Sequence, residues 1–242
     1  MLPPLIVLAA GSLRSALTPL LAEFSAGGRR RVTVNYGPAG LLRQRIEAGE
    51  ACDLFASANA THPQRLKSLG LASTVVPFTR NSLCLTARRT AQTETAGWLE
   101  LLGNPGLIIG TSTPGCDPSG DYAWRLFDTA AALLPATAGD LKQRALQLVG
   151  GPIAAPIPAG ELAAAWAIHQ GLADIFIGYA HYAGRLEQDP RLRVVRIPDE
   201  HNILATYALA VRSPAAMPLA EFMLSARGQS FLRAAGFLAL DQ

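Results

Sequence analysis

The sequence predicts an α/β fold built on largely parallel sheets, and three observations carry that prediction. Short apolar runs of strand length alternate with longer segments whose apolar residues recur at helical spacing. Turns containing Gly, Ser or Pro repeatedly join the end of a strand segment to the start of a helical one. Half of the 242 residues are hydrophobic and only 16% are charged. That composition excludes a disordered chain and supports one large domain or two lobes of about 100–130 residues each.

The elements follow in order. Ile6-Val7-Leu8 is a continuous apolar run, as a strand covered on both faces requires, and the first strand is read over Leu5 to Ala9. Gly11 and Ser12, with Ser12 as the expected cap, lead into a helix carrying Leu13, Ala16, Leu17, Leu20, Leu21 and Phe24 at helical spacing. Gly27-Gly28 should end it. Val32 to Val34 is a second strand, the turn Gly37 to Gly40 opens a helix over Leu41 to Ala48, and Asp53 to Ala56 is a third strand. Strands follow over Ser82 to Ala87 and Leu107 to Gly110. A helix spans Asp121 to Leu134, introduced by the turn Pro118-Ser119-Gly120, and another spans Glu161 to Gln170 after a Pro-, Ala- and Gly-rich loop. The last strands are Asp174 to Tyr179, Arg193 to Ile197 and Tyr207 to Val211, before two closing helices that include Leu219 to Leu224 and Gly228 to Ala235.

Several function classes are disfavoured. The net charge is +3, and 19 of the 21 cationic residues are arginines spread along the chain, so no nucleic-acid partner is expected. The one cluster, Arg29-Arg30-Arg31, reads as a solvated turn. The uncharged apolar stretches at 2–11 and 107–110 fall short of the roughly 20 residues of a membrane helix. Cys52, Cys84 and Cys116 are too few and too widely spaced for a disulfide framework or a zinc knuckle, and read as small buried residues. The amino-terminal apolar run lacks a basic flank and enters a helix directly, so it reads as a strand rather than a leader. No nucleophile elbow or phosphate loop is present, no histidine pair has metal-binding helical spacing, and no enzyme is expected.

Binding geometry is better represented. Gly11-Ser12, Gly37 to Gly40, Pro118 to Gly120 and Ala159-Gly160 each join a strand or loop to a helix start. In a parallel sheet such turns line the carboxyl edge, where ligands bind. Free amides at a helix start attract anions without a charged side chain. Ser12 and Ser119 add hydroxyls.

Four stretches carry a resemblance to the periplasmic solute-binding proteins of ABC importers for molybdate and tungstate. They are Leu8-Ala-Ala-Gly-Ser-Leu13; Tyr36-Gly-Pro-Ala-Gly-Leu-Leu42 followed by Ile46 through Asn59; Asn81-Ser-Leu83; and Asp117-Pro-Ser-Gly-Asp-Tyr-Ala-Trp124. The ending, Ala220 through Phe237, is similar to that family's last helices. The resemblance implies a type II two-lobed fold, with residues 1–80 plus 207–242 as one lobe and 81–206 as the other. Two hinge strands would join the lobes, near Asn81 to Thr86 and Thr206 to Val211. It also implies a monomeric, non-catalytic periplasmic receptor with no cofactor, which hands its oxyanion to a membrane permease. The ligand positions map to Ser12, Ala39, Ser119, Glu161 and Tyr179, with amides donating at Ser119 and Glu161.

Two positions depart from the pattern. Ala39 stands where the family has a second serine, and a lost hydrogen bond to an anion costs about 1.5–3 kcal/mol. Glu161 brings a carboxylate; at about 5 Å and an effective dielectric of about 20, repulsion is roughly 3 kcal/mol per unit of ligand charge. A second reading therefore keeps the receptor and changes the ligand, with Tyr36, Tyr122, Tyr179, Asp117 and Glu161 as hard oxygen ligands for a metal ion or metal complex. A third reading is a cytosolic sensor or an enzyme on the same two lobes.

Overall fold

The apolar run Ile6 to Leu8 forms the middle of the first strand in the structure, a computed structural model that describes residues 3–26, 30–134 and 141–241. The strands are β1 (Leu5–Ala10), β2 (Val32–Gly37), β3 (Leu54–Ser57), β4 (Thr74–Asn81), β5 (Leu83–Arg88), β6 (Ile109–Ser112), β7 (Leu146–Val149), β8 (Ile175–Tyr179), β9 (Leu192–Arg196) and β10 (Ala205–Val211). The helices are α1 (Arg14–Ala26), α2 (Ala39–Glu47), α3 (Thr61–Ser68), α4 (Trp98–Gly103), α5 (Pro118–Leu133), α6 (Leu141–Arg144), α7 (Ala163–His169), α8 (Ala183–Leu186), α9 (Met217–Leu224) and α10 (Ala226–Ala234). None of the described helices is long and apolar enough to cross a membrane.

The chain divides into two compact units, residues 1–81 with 205–242 and residues 82–204. Each holds one five-stranded sheet flanked by helices, so the α/β expectation is borne out. In unit 1 the strand order is β2-β1-β3-β10-β4, with β1 parallel to β2 and β3, and β10 antiparallel to β3 and β4. In unit 2 the order is β7-β6-β8-β5-β9, with β6 parallel to β7 and β8, and β5 antiparallel to β8 and β9. Both sheets are therefore mixed, with three parallel strands beside an antiparallel pair.

The core of unit 1 is built from Leu13, Leu17, Leu20 and Phe24 of the first helical segment with Phe55, Phe78 and Tyr207 from the sheet. Phe24 also meets Phe222 of α9, with ring centroids 5.6 Å apart. In unit 2, Ala164, Ala167 and Ile168 of α7 pack with Phe176, Leu186 and Leu192. Burying side chains of this size stabilises each by about 1.5–3 kcal/mol.

Several sequence expectations shift. Strands β4 and β7, both at sheet edges, are absent from the sequence reading. β4 contains Pro77, which reads as a breaker but is tolerated where one side of the strand is unpaired. β7 has only four residues, and only Val149 is buried. Strand β6 runs to Ser112 rather than stopping at Gly110. Helix α5 starts at Pro118, not Asp121, because Asp117 caps it: its Oδ1 accepts from the Ser119 amide at 3.1 Å. Helix α7 starts two residues later than expected, since Glu161 belongs to a turn closed by its amide on the Pro158 carbonyl at 3.1 Å. The Gly27-Gly28 stop and Arg29 lie outside the described residues. Of that arginine cluster, Arg30 donates to the Pro3 carbonyl.

The arginine surplus also finds a structural use. Arg212 donates to the carbonyls of Leu71 at 2.8 Å and Cys52 at 3.0 Å. Arg144 donates to Asn104 at 2.6 Å, Arg193 to Thr93 and Ala96, and Arg88 to Ile168 at 2.8 Å and Ala173 at 3.3 Å. The planar guanidinium, with five donors, suits carbonyls that have no partner within a helix or a ladder. All three cysteines are free thiols; Cys52 and Cys84 are buried, and burial pushes the Cys84 thiol up to about 12.

Candidate functional site

Each sheet has a point where chain connections leave in opposite directions. In unit 1, β1 connects to β2 on one side, and the chain then returns to β3 on the other side of β1. In unit 2, β6 connects to β7 and the chain returns to β8 in the same way. Ligands of open α/β sheets bind outside the carboxyl ends of the strands at such a switch point. Of the expected site residues, Ser12 and Ala39 follow β1 and β2 on the first edge, and Ser119 follows β6 and Tyr179 ends β8 on the second.

Ser12 follows β1 inside a single 3-10 turn, Gly11–Leu13, that precedes α1. It does not cap the helix as the sequence suggested: the cap position belongs to Ala10, and no side chain bonds there. Instead the Ser12 hydroxyl lies 3.0 Å from the hydroxyl of Tyr207. Tyr207 is fully buried near the start of β10, wedged edge-on against Phe78 and Phe237 with centroids 6.4 and 5.4 Å away. The side-chain amide of Asn81, the last residue of β4, donates to the same phenol oxygen at 3.5 Å. Sequence reading places Tyr207 in an apolar strand without a role. The one available signal is a hydroxyl-bearing ring amid Ala, Leu and Val.

Ala39 is the first residue of α2, after Pro38, and is buried. The first helical bond there is from the Leu42 amide to the Pro38 carbonyl at 3.0 Å. The amides of Ala39, Gly40 and Leu41 thus precede the ladder and form the positive end of the helix. Beside this turn, the Tyr36 ring carries the Arg14 guanidinium 4.2 Å from its centroid. Burial raises the Tyr36 hydroxyl above its ordinary value of 10.0.

On the edge of unit 2, Ser119 occupies the first turn of α5 and is buried. Its amide is already held by Asp117, so the carboxylate sits where an anion would be drawn. Burial pushes Asp117 up from 3.8 to about 6, against the lowering effect of the Ser119 amide and the Ser112 side chain. Gly150, after β7, approaches so closely that a Cβ there would stand 2.8 Å from the Asp117 carboxylate, and its φ of +76° also favours glycine.

Tyr179 ends β8 and is buried. Its ring meets Tyr122 edge-on at 6.5 Å, and Tyr122 lies one helical turn after Ser119. This packing brings Ser119, Tyr122 and Tyr179 into one neighbourhood, and burial pushes the Tyr122 hydroxyl up to about 12. Glu161 is exposed and lines a shallow groove of about 320 Å³ with His169, Arg185 and Asp189. Among the described residues, no group of three or more His, Cys, Asp and Glu side chains is arranged to hold a metal ion.

The chain is similar to several known proteins. An uncharacterized protein of Pasteurella multocida is 42% identical over 234 residues, which is 96% of this chain and 97% of the relative. The molybdate-binding protein ModA of Mycobacterium tuberculosis is 24% identical, covering 96% and 84%. Among solved structures, the periplasmic molybdate-binding protein of Azotobacter vinelandii superposes with a TM-score of 0.75 at 18% identity, covering 97% and 98%. The sulfate-binding protein SubI of M. tuberculosis gives 0.75 at 19% identity, covering 99% and 88%. Iron-bound HitA of Pseudomonas aeruginosa gives 0.64 at 17%, covering 96% and 84%. Identities this low establish a shared fold, that of the periplasmic binding proteins. The family model for bacterial extracellular solute-binding proteins matches residues 5–238. The chain therefore belongs to the bacterial extracellular solute-binding proteins, a family of receptors and not of enzymes.

Proposed function

We propose that this protein is the periplasmic receptor of an ABC importer and that its ligand is a tetrahedral oxyanion, molybdate or tungstate. The observation that carries the reading is the set of neutral donors at the two switch points. Ser12 and the first amides of α2 stand on one edge, and Ser119 and Tyr179 stand on the other. Hydroxyls and helix-start amides neutralise an oxyanion without a cation, and such bonds strengthen once water is excluded. At Ala39 the amide takes the place of the hydroxyl that the family pattern supplies. At Glu161 the amide donates only if it leaves the Pro158 carbonyl. The two lobes, 1–80 plus 207–242 and 81–206, close on the ligand about the linking strands.

A thermal-shift series with molybdate, tungstate, sulfate, phosphate and chromate tests this. A ligand at 100 times its Kd stabilises the fold by about 2.7 kcal/mol, which raises Tm by about 5–10 °C for a chain of this size. No shift with either molybdate or tungstate overturns the specific assignment.

A second reading is favoured by Asp117. A carboxylate capping the start of α5 at the carboxyl edge is an unfavourable neighbour for a bare dianion and a good ligand for a hard metal centre. In that case Asp117, Tyr122 and Tyr179, with Tyr36 and Glu161, supply oxygen ligands to a metal ion or metal complex. Metal analysis of the purified protein, compared with Tyr179→Phe, separates the two readings. Bound metal that the variant loses supports the second.

A further inference from the structure

We propose that Arg14 is a specificity-determining residue that draws a doubly charged anion to the Ser12 edge of unit 1 by long-range attraction, without joining the neutral donors there. The inference rests on the oxyanion reading above and deepens it. Arg14 opens α1 two residues after Ser12, so the two Cα atoms are at most about 7.6 Å apart. Its guanidinium carbon lies 4.2 Å from the centroid of the Tyr36 ring, near the end of β2. Tyr36 pairs with Ala9 in the sheet and precedes Ala39, the first residue of α2, by three positions. The cation is thus held among the segments that start both helices.

Local stability disfavours a cation at this position. Arg14 is exposed, and among the described residues it forms no ion pair. The start of α1 is the positive end of a 13-residue helix whose first turn holds no acidic residue. A cation there opposes the helix dipole, where a carboxylate would stabilise it. The Tyr36 ring offsets part of that cost, because an aromatic face attracts a guanidinium stacked on it. In the two segments that carry Ser12 and Ala39, residues 9–14 and 35–42, Arg14 is the sole charged side chain.

Sequences break local rules where function takes precedence. Here the uncompensated charge adds to the positive helix starts rather than cancelling them, so the potential at this edge is more positive than the backbone alone would make it. Attraction scales with ligand charge. A dianion gains twice what a monoanion gains, a neutral solute gains nothing, and a metal cation is repelled. The ligand class favoured is therefore a small, doubly charged anion. Because Arg14 is exposed, its reach is set by salt screening, about 30 Å at 10 mM and about 3 Å at 1 M.

A charge series at this position tests the proposal: wild type, Arg14→Lys, Arg14→Gln and Arg14→Glu. The probe is whichever of molybdate, tungstate, sulfate and phosphate wild type binds most tightly, with Kd measured by calorimetry in low and high sodium chloride. For a charge about 10 Å from a dianion, Arg14→Gln should weaken binding about threefold and Arg14→Glu about sevenfold at 10 mM salt. Arg14→Lys, which keeps the charge, should stay close to wild type, and all four should converge at about 1 M salt. Melting temperature should not follow affinity. Arg14→Glu suits the helix start, so its Tm should lie above wild type or no more than about 2 °C below it. An unchanged Kd in Arg14→Glu at low salt overturns the proposal. So does a loss of equal size at both salt concentrations, a lysine variant as weak as the glutamine one, or a larger fall in Tm, because a merely structural arginine would behave that way. If wild type binds none of the four anions, the oxyanion reading fails and takes the inference with it, whereas a bound anion that ignores the charge at position 14 overturns the inference alone.

Discussion

Asp117 sits where helix α5 would draw an anion, and its own carboxylate holds the Ser119 amide. Because its folded pKa is raised from 3.8 to about 6, the folded state binds a proton that the unfolded chain has already lost. Stability therefore falls as pH rises from about 4 to about 6, and the cost persists above that range. Asp117→Asn keeps an acceptor for the Ser119 amide and removes the buried charge. It should raise Tm at pH 7.5, by at most about 3 kcal/mol of stability, and the gain should vanish below pH 4 in a series of melting curves. Oxyanion affinity in wild type should also increase from pH 8 to pH 6, and Asp117→Asn should flatten that slope. Ser12→Ala removes one donor to a charged ligand, so its Kd by calorimetry should rise about tenfold to a hundredfold. At this scale the sequence shows Ser12 and Tyr179 as candidates, but not Tyr207, whose partner Ser12 is 195 positions away.

Helix starts decide what the edges offer. The dipeptide Asp117-Pro118 is a cap followed by a first-turn proline, which makes Ser119 and Gly120 helical and turns the expected loop into part of α5. Gly120 packs so tightly on the preceding segment that a Cβ would lie 2.6 Å from the Ser112 carbonyl and the Pro114 nitrogen. Gly120→Ala should therefore shift the α5 start and lower Tm by several degrees, more than the same change at exposed Gly11, whose Cβ would meet nothing within 4 Å. Differential scanning calorimetry of both variants checks this. Central elements are legible because burial on both faces leaves an unbroken apolar run, as in β1 and β8. Edge strands β4 and β7 are not, since β7 is four residues long with a single buried one, and β4 is interrupted in the sequence by the exposed Pro77.

The two units repeat one plan, with three parallel strands whose first-to-second connection and return create a switch point, beside an antiparallel pair. If the proposed receptor closes on its ligand, small-angle scattering should show a smaller radius of gyration with saturating molybdate or tungstate than without. Superimposable curves would count against closure. The sequence by itself determined the α/β class, the order of the buried strands and helices, and the strand ends and helix starts at which Ser12, Ala39, Ser119 and Tyr179 lie. Local periodicity and turn chemistry encode these, and both act over a few residues. Only the tertiary structure decided the strand order, and with it which turns meet at a switch point. It also decided that Asp117 takes the Ser119 amide, that the Glu161 amide closes a turn, and that Tyr207 and Asn81 stand behind Ser12. Those outcomes depend on hydrogen bonds and packing between segments distant in the chain, which no local pattern records.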